Sequence, residues 1–227
     1  MTEAMALLIA AATAFVGTHF ALSHPLRAPL VARLGEKGFL GLYSLVAVAT
    51  FAWLVWAFLR VEPYGVVEWT GNDEVSWTIA SVLTIFALVL FLGSLSKNPA
   101  LPEAHVGDLA AREPRGVYRV TRHPMMWGFA LWALAHAIVA PTPRTIVLCG
   151  AVAILALVGA HMQDRKKAAL MPEWDAWRAK TSFLPRWTKL PGAGLGLWAV
   201  SLVLWLAVTW LHVVIAYVPA GIWRWVA

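Results

Sequence analysis

Four of the seven histidines in this 227-residue chain lie inside long apolar runs: His19, His136, His161 and His212. Ionisable side chains are costly in lipid, and by default they mark a functional site. A neutral imidazole offers one N–H donor and one lone-pair nitrogen, so several buried histidines suit axial ligation of a b-type haem iron. The chain has one cysteine, Cys149. That excludes an intrachain disulfide, a C-x-x-C-H haem attachment and a cysteine-rich cluster. A metal would have to rely on histidine, carboxylate or methionine. His105 lies in a long loop and receives no role, and His24, before Pro25, reads as a surface or capping residue.

Chemistry concentrates in residues 119–136, RVTRHPMMWGFALWALAH. Pro124 suits the first turn of a helix, where its missing N–H has no partner to lose. Arg122 and His123 then sit at a helix N-terminus, whose dipole and free N–H groups favour an anion. They are candidates to hold the propionate, phosphate or carboxylate of a cofactor. Further along, His136 shares a helical face with Gly128, Trp132 and Val139. Glycine one turn below tryptophan leaves a trough that could take a flat macrocycle or a polyene edge. The alternative is a helix contact at Gly128, with His136 hydrogen-bonded to a neighbour. An axial imidazole needs its other ring nitrogen held, and the Trp132 carbonyl is one turn back.

These side chains require membrane-spanning helices to position them. Hydrophobic residues make up 60% and charged residues 13% of the chain, and mean hydropathy is +0.69. A soluble domain carries about 25% charged residues. Six spans are expected, near 4–23, 38–60, 75–96, 124–140, 144–163 and 194–218, in an all-α bundle forming one domain over 1–227. The net charge of +6 is a matter of topology and not of nucleic-acid binding. Of the 18 Lys and Arg, all but Arg60, Arg144 and Arg224 fall in the segments 24–37, 97–123 and 164–193. The positive-inside rule then puts those segments in the cytoplasm and both termini outside it. Trp69, Trp77, Trp174, Trp177, Trp187, Trp223 and Trp225 fall near span ends, as interfacial anchors do. The stretch 165–189 mixes basic and aromatic residues and reads either as a lipid-anchoring loop or as including a helix that lies on the membrane surface.

Depth constrains the histidine pairs. His19 lies roughly 6–7 Å and His136 roughly 18 Å below the cytoplasmic boundary at 1.5 Å per residue. A tilt of about 20° does not close that gap. On depth, His136 pairs with His212, and His19 with His123 or His161. Asp164 and Arg165 are adjacent and face apart on a helix, so they are either partnered elsewhere or snorkel at the lipid surface.

The stretches 18–39 (THFALSHPLRAPLVARLGEKGF) and 98–136, with the later HMQDRK and TSFLP, resemble the NnrU family of bacterial membrane proteins. The resemblance implies an inner-membrane protein linked to nitrite and nitric oxide metabolism in denitrification. The same domain is similar to the zeta-carotene isomerases of plants and cyanobacteria, b-haem proteins that isomerise a central cis double bond. That likeness implies His19 and His136 as haem ligands and matches its R-H-P to Arg122, His123 and Pro124, and its D-R to Asp164 and Arg165. The isomerase cysteine three residues before the second histidine is Ala133 here, which excludes a thiolate switch at that position. A more distant likeness links Gly116, Tyr118, Arg119 and Arg122-His123-Pro124 to the isoprenylcysteine carboxyl methyltransferases. Their acidic pair after the next span is replaced by Gln163-Asp164-Arg165.

Three functional classes follow. The leading one is a haem b protein of the bacterial inner membrane, ligated by His19 and His136 with His212 and His161 as alternates. Arg122, His123, Gly128 and Trp132 line the cofactor, and a hydrophobic small molecule or an NO-type gas is its ligand. A haem-dependent isomerase would be its enzymatic form. The second is an S-adenosylmethionine-dependent methyltransferase with a lipidic substrate. The third is a non-catalytic assembly factor.

Overall fold

The computed structural model describes residues 1–63, 69–96, 98–99 and 109–226. Glu68, Lys97 and His105 lie outside them. Among the described residues the chain is helical, without a strand. Its helices are α1 (Glu3–Ser23), α2 (Arg27–Arg60), α3 (Glu74–Ser94), α4 (Pro124–Val139), α5 (Pro143–Leu170), α6 (Glu173–Lys180), α7 (Leu195–Ala216) and α8 (Trp223–Val226). Short 3-10 turns span Gly116–Arg119 and Trp187–Ala193. Two compact units emerge: residues 1–70 with 140–155, and residues 71–139 with 156–227.

In the first unit, the Thr2 hydroxyl accepts the Met5 N–H at 3.3 Å and starts α1. α1 ends where the His24 N–H reaches the Phe20 carbonyl, just before Pro25. The segment 24–37, expected as a loop, is helical from Arg27 onward. It is broken only at Gly35, whose φ of 70° is open to glycine at little cost. Arg27 reaches across this kink to Glu36 at 3.0 Å. Leu8, Ala11 and Ala12 of α1 pack with Leu54 and Ala57 of α2 and Ala151 of α5. Small side chains let the backbones approach closely, which is how helices associate in lipid.

The second unit is built on α3. Asp73 caps it, its carboxylate accepting the Ser76 N–H at 2.9 Å and the Ser76 hydroxyl at 2.6 Å. α4 crosses α3 at Gly128, where an added Cβ would sit 2.9 Å from the Ala87 carbonyl oxygen and 3.3 Å from Phe91 Cβ. α7 joins α3 through Trp205, whose indole N–H donates to Thr84 Oγ1 at 2.9 Å. Val89 and Leu90 of α3, Val117 and Val120 of the 116–120 segment, and Trp174 and Trp177 of α6 form the core.

Two expectations change. Trp174 and Trp177 are fully buried core residues, not interfacial anchors. The predicted surface helix shortens to the eight residues of α6, and the spacing of three puts both indoles on its inward face. Trp77 is buried too, whereas Trp69, Trp187 and Trp225 stay exposed. Among the described residues five helices are long and apolar enough to cross a membrane: α1, α2, α3, α5 and α7. α4, the fourth of the six expected spans, has 16 residues. At 1.5 Å per residue it rises about 24 Å, short of the ~30 Å hydrocarbon layer. Leu45, Val48 and Leu59 of α2 and Val203 and Ile215 of α7 are each about two-thirds exposed. An apolar exterior of this kind is suited to a lipid bilayer.

Candidate functional site

The start of α4 is tied down on every side. The Arg122 Nε donates to both carboxylate oxygens of Asp164 at 3.0 and 2.8 Å, and a terminal guanidinium nitrogen also donates to Oδ2. His123 Nε2 lies 2.7 Å from Asp164 Oδ1. An ionised carboxylate only accepts, so this ring nitrogen donates. The His123 side chain is fully buried and that of Asp164 is 8% exposed. His123 Nδ1 is also buried, without a hydrogen-bond partner.

A second segment straps this corner. The Arg122 N–H donates to the Ser182 carbonyl and the Arg186 N–H to the Val120 carbonyl, both at 2.8 Å. Thr121 Oγ1 donates to the Phe183 carbonyl at 2.8 Å, and the Trp127 indole donates to the same oxygen at 2.9 Å. The T-R-H-P, D-R and T-S-F-L-P stretches therefore meet in one knot. The anion beside Arg122 and His123 is the chain's own Asp164, so the expected cofactor acid group has no need to supply it.

Farther along α4 the chemistry is of another kind. His136 Nδ1 lies 2.8 Å from the Trp132 carbonyl, and the Trp132 ring is 4.2 Å away between centroids, tilted by 34°. From α7, His212 brings its ring to 6.3 Å from that of His136, tilted by 40°. His212 Nδ1 lies 2.8 Å from the Val208 carbonyl. A carbonyl only accepts, so in each neutral ring Nδ1 carries the proton and Nε2 keeps its lone pair. Gly128, expected in a cofactor trough, faces Ala87 and Phe91 of α3. It serves the helix contact.

His19, in the other unit, repeats the local pattern. Its Nδ1 lies 2.6 Å from the Phe15 carbonyl, with Phe15 and Tyr43 set edge-on at 4.5 and 5.5 Å. His161 is exposed on α5. Among the described residues no three His, Cys, Asp or Glu side chains gather as a metal site. The structure thus brings His136 and His212 together with Trp132, and gathers Arg122 and His123 around Asp164.

Sequence reasoning missed the Asp164 partnership, along with the hydrogen bonds of Thr121 and Trp127. A signal was present: an acid at the end of one span and an Arg-His pair at the start of another, at the same expected boundary. A family model described as NnrU protein matches residues 7–220. No curated protein and no solved structure matches the chain. Since that model runs through nearly all of the sequence, including every motif in the knot, the chain belongs to the NnrU family.

Proposed function

We propose that this protein binds haem b in the bacterial inner membrane, with the His136 and His212 imidazoles as its axial ligands. The supporting observation is the pair itself. An imidazole nitrogen sits about 2 Å from a bound metal, with its ring centre roughly 1 Å beyond, so two imidazoles across one metal have centres roughly 6 Å apart. The 6.3 Å separation agrees with that distance. Both Nδ1 protons are held by backbone carbonyls, which fixes the rings and raises the donor strength of Nε2. Two protein ligands are too few for a structural zinc site, which takes four. They are enough for an iron whose other four positions a macrocycle fills. Trp132, against His136, would shield one edge of the group. When bound, haem would supply electron transfer or, on loss of one imidazole, a seat for a diatomic gas.

Within this reading α4 is a sixth, short span, and both termini face the periplasm. The role lies in nitrite and nitric oxide metabolism or in isomerising a hydrophobic polyene. The protein purified in detergent should show sharp α and β bands on dithionite reduction. His136→Ala and His212→Ala should each abolish the low-spin spectrum, while His19→Ala should leave it intact. A colourless wild-type protein would overturn the haem assignment. Loss of the bands in His19→Ala but not His212→Ala would replace the pair with the one that resemblance implies. Fusions after Ala227 and near Ala179 should report periplasm and cytoplasm respectively; both reporting one compartment would rule out six spans.

A further inference from the structure

The last residues of the chain do not simply leave α7. The His212 carbonyl accepts the Tyr217 N–H, with Tyr217 at φ 56° as the left-handed cap, and also the Val218 N–H at 3.1 Å. The backbone therefore turns on the carbonyl of one of the two facing histidines. Gly221 then seats on α7 so closely that a Cβ would lie 2.8 Å from Thr209 Cγ2 and 2.9 Å from the Trp205 ring. Its φ of 59° favours glycine as well. Trp223 donates its indole N–H to Thr209 Oγ1 at 3.1 Å and lies edge-on to Trp210 at 4.8 Å.

The next two residues reach α3. An Arg224 terminal nitrogen donates to the Asn72 carbonyl at 2.9 Å and to Asn72 Oδ1 at 3.2 Å. Its guanidinium lies 4.8 Å from the centre of the Trp77 ring, and Arg224 Nε is 3.7 Å from Glu74 Oε1. The Trp225 indole N–H donates to Glu74 Oε2. α3 is also what α4 packs on, at Gly128. Both helices that carry the facing imidazoles are thus referenced to α3, α4 by direct backbone approach and α7 in part through this strap.

We propose that residues 221–226 are a strap that positions His212 against His136, with Arg224 as its positioning residue. This rests on the reading of the two histidines as a ligand pair, but the strap can be tested with or without a cofactor. Because both Nδ1 atoms are engaged, diethyl pyrocarbonate must attack at Nε2, and mass spectrometry reads each histidine separately. In cofactor-free protein, Arg224→Ala should speed carbethoxylation of His212 by about tenfold, the scale of a local opening made easier. His136 should be unchanged. Arg224→Lys, which keeps the charge for Glu74 and Trp77, should return His212 to near the wild-type rate. Trp225→Phe, which keeps the ring and loses the N–H, should fall between.

In protein loaded with haem, Arg224→Ala would loosen the hold of His212 on the group and change its absorption spectrum while haem stays bound. An unchanged His212 rate in Arg224→Ala overturns the strap. So does an equal rise at His136 and His212, which would mean general loosening. A colourless wild-type protein whose Arg224→Ala variant still exposes His212 alone would sink the haem reading and leave the strap standing.

Discussion

The two ends of α4 make opposite uses of histidine. His123 is fully buried, bonded to Asp164 and ringed by Trp174 and Phe183. Its neighbour Arg122 is held by the same carboxylate. His136 and His212 are half-buried, and the hydrogen bonds they make are to carbonyls of their own helices. A charge pair closed on itself in the interior is costly to break. Each of these imidazoles is held by one nitrogen: at His123 the other is walled into the interior, whereas the rings of His136 and His212 are only half-buried. The contrast teaches that the more conspicuous motif, R-H-P, spends its polar groups on the chain's own Asp164. The plainer histidines are held only by carbonyls of their own helices, and the proposed cofactor rests on them.

Substitutions can break this contrast. Asp164→Asn should have the largest effect, about 3–5 kcal/mol in thermal or denaturant unfolding in detergent, because it leaves Arg122 charged and unpaired in the interior. On the haem reading, the spectrum of the protein that folds should stay that of wild type; a spectral change would give the knot a part in ligation. Gly128→Ala should come next, at about 1–3 kcal/mol, since the new methyl meets the Ala87 carbonyl oxygen. A neutral outcome would mean α3 and α4 can slide apart freely.

His136→Ala and His212→Ala should shift the stability of the cofactor-free protein by no more than about 1 kcal/mol, as half-buried substitutions do. A loss as large as that of Asp164→Asn would make them architectural too. The smallest effect belongs to Asp73. Its hydrogen bonds from Ser76 hold its pKa below the ordinary 3.8. The stabilisation is therefore present above that value and is lost as pH falls through the lower, folded pKa. Melting temperatures of wild type and Asp73→Ala should differ slightly at pH 7 and converge below pH 3.8.

Much of this was legible in the sequence, and for identifiable reasons. A span is written in its composition, so five long helices fall near the expected positions. Depth along a helix follows from counting residues, which put His136 level with His212 before their rings were seen to lie 6.3 Å apart. Other features depend on information that residue types do not carry. Tryptophan beside basic residues looks the same whether it meets lipid headgroups or a core, so Trp174 and Trp177 were misplaced. The Gly35 kink is a single backbone angle inside a continuous apolar and basic pattern. Asp164 is 42 residues from Arg122, and local spacing says nothing about a contact at that range. The end of α4 at Val139 was nearer the surface of the sequence, since Pro141 biases the residue before it away from the helix.

The distance between Arg122 and Asp164 also orders events at the ribosome. Arg122 emerges first, at the mouth of a helix too short to be held firmly by lipid alone. Its counter-charge follows 42 residues later, a delay of roughly 2–8 s at ordinary elongation rates. The strap at 181–186 arrives later still. Through that interval the guanidinium has to stay in water or among headgroups, where a basic side chain is tolerated, because the interior knot that buries it still lacks its carboxylate. Closing of the knot at the start of α4 thus waits for the end of α5, and a stalled chain released before Asp164 should be a substrate for membrane proteolysis.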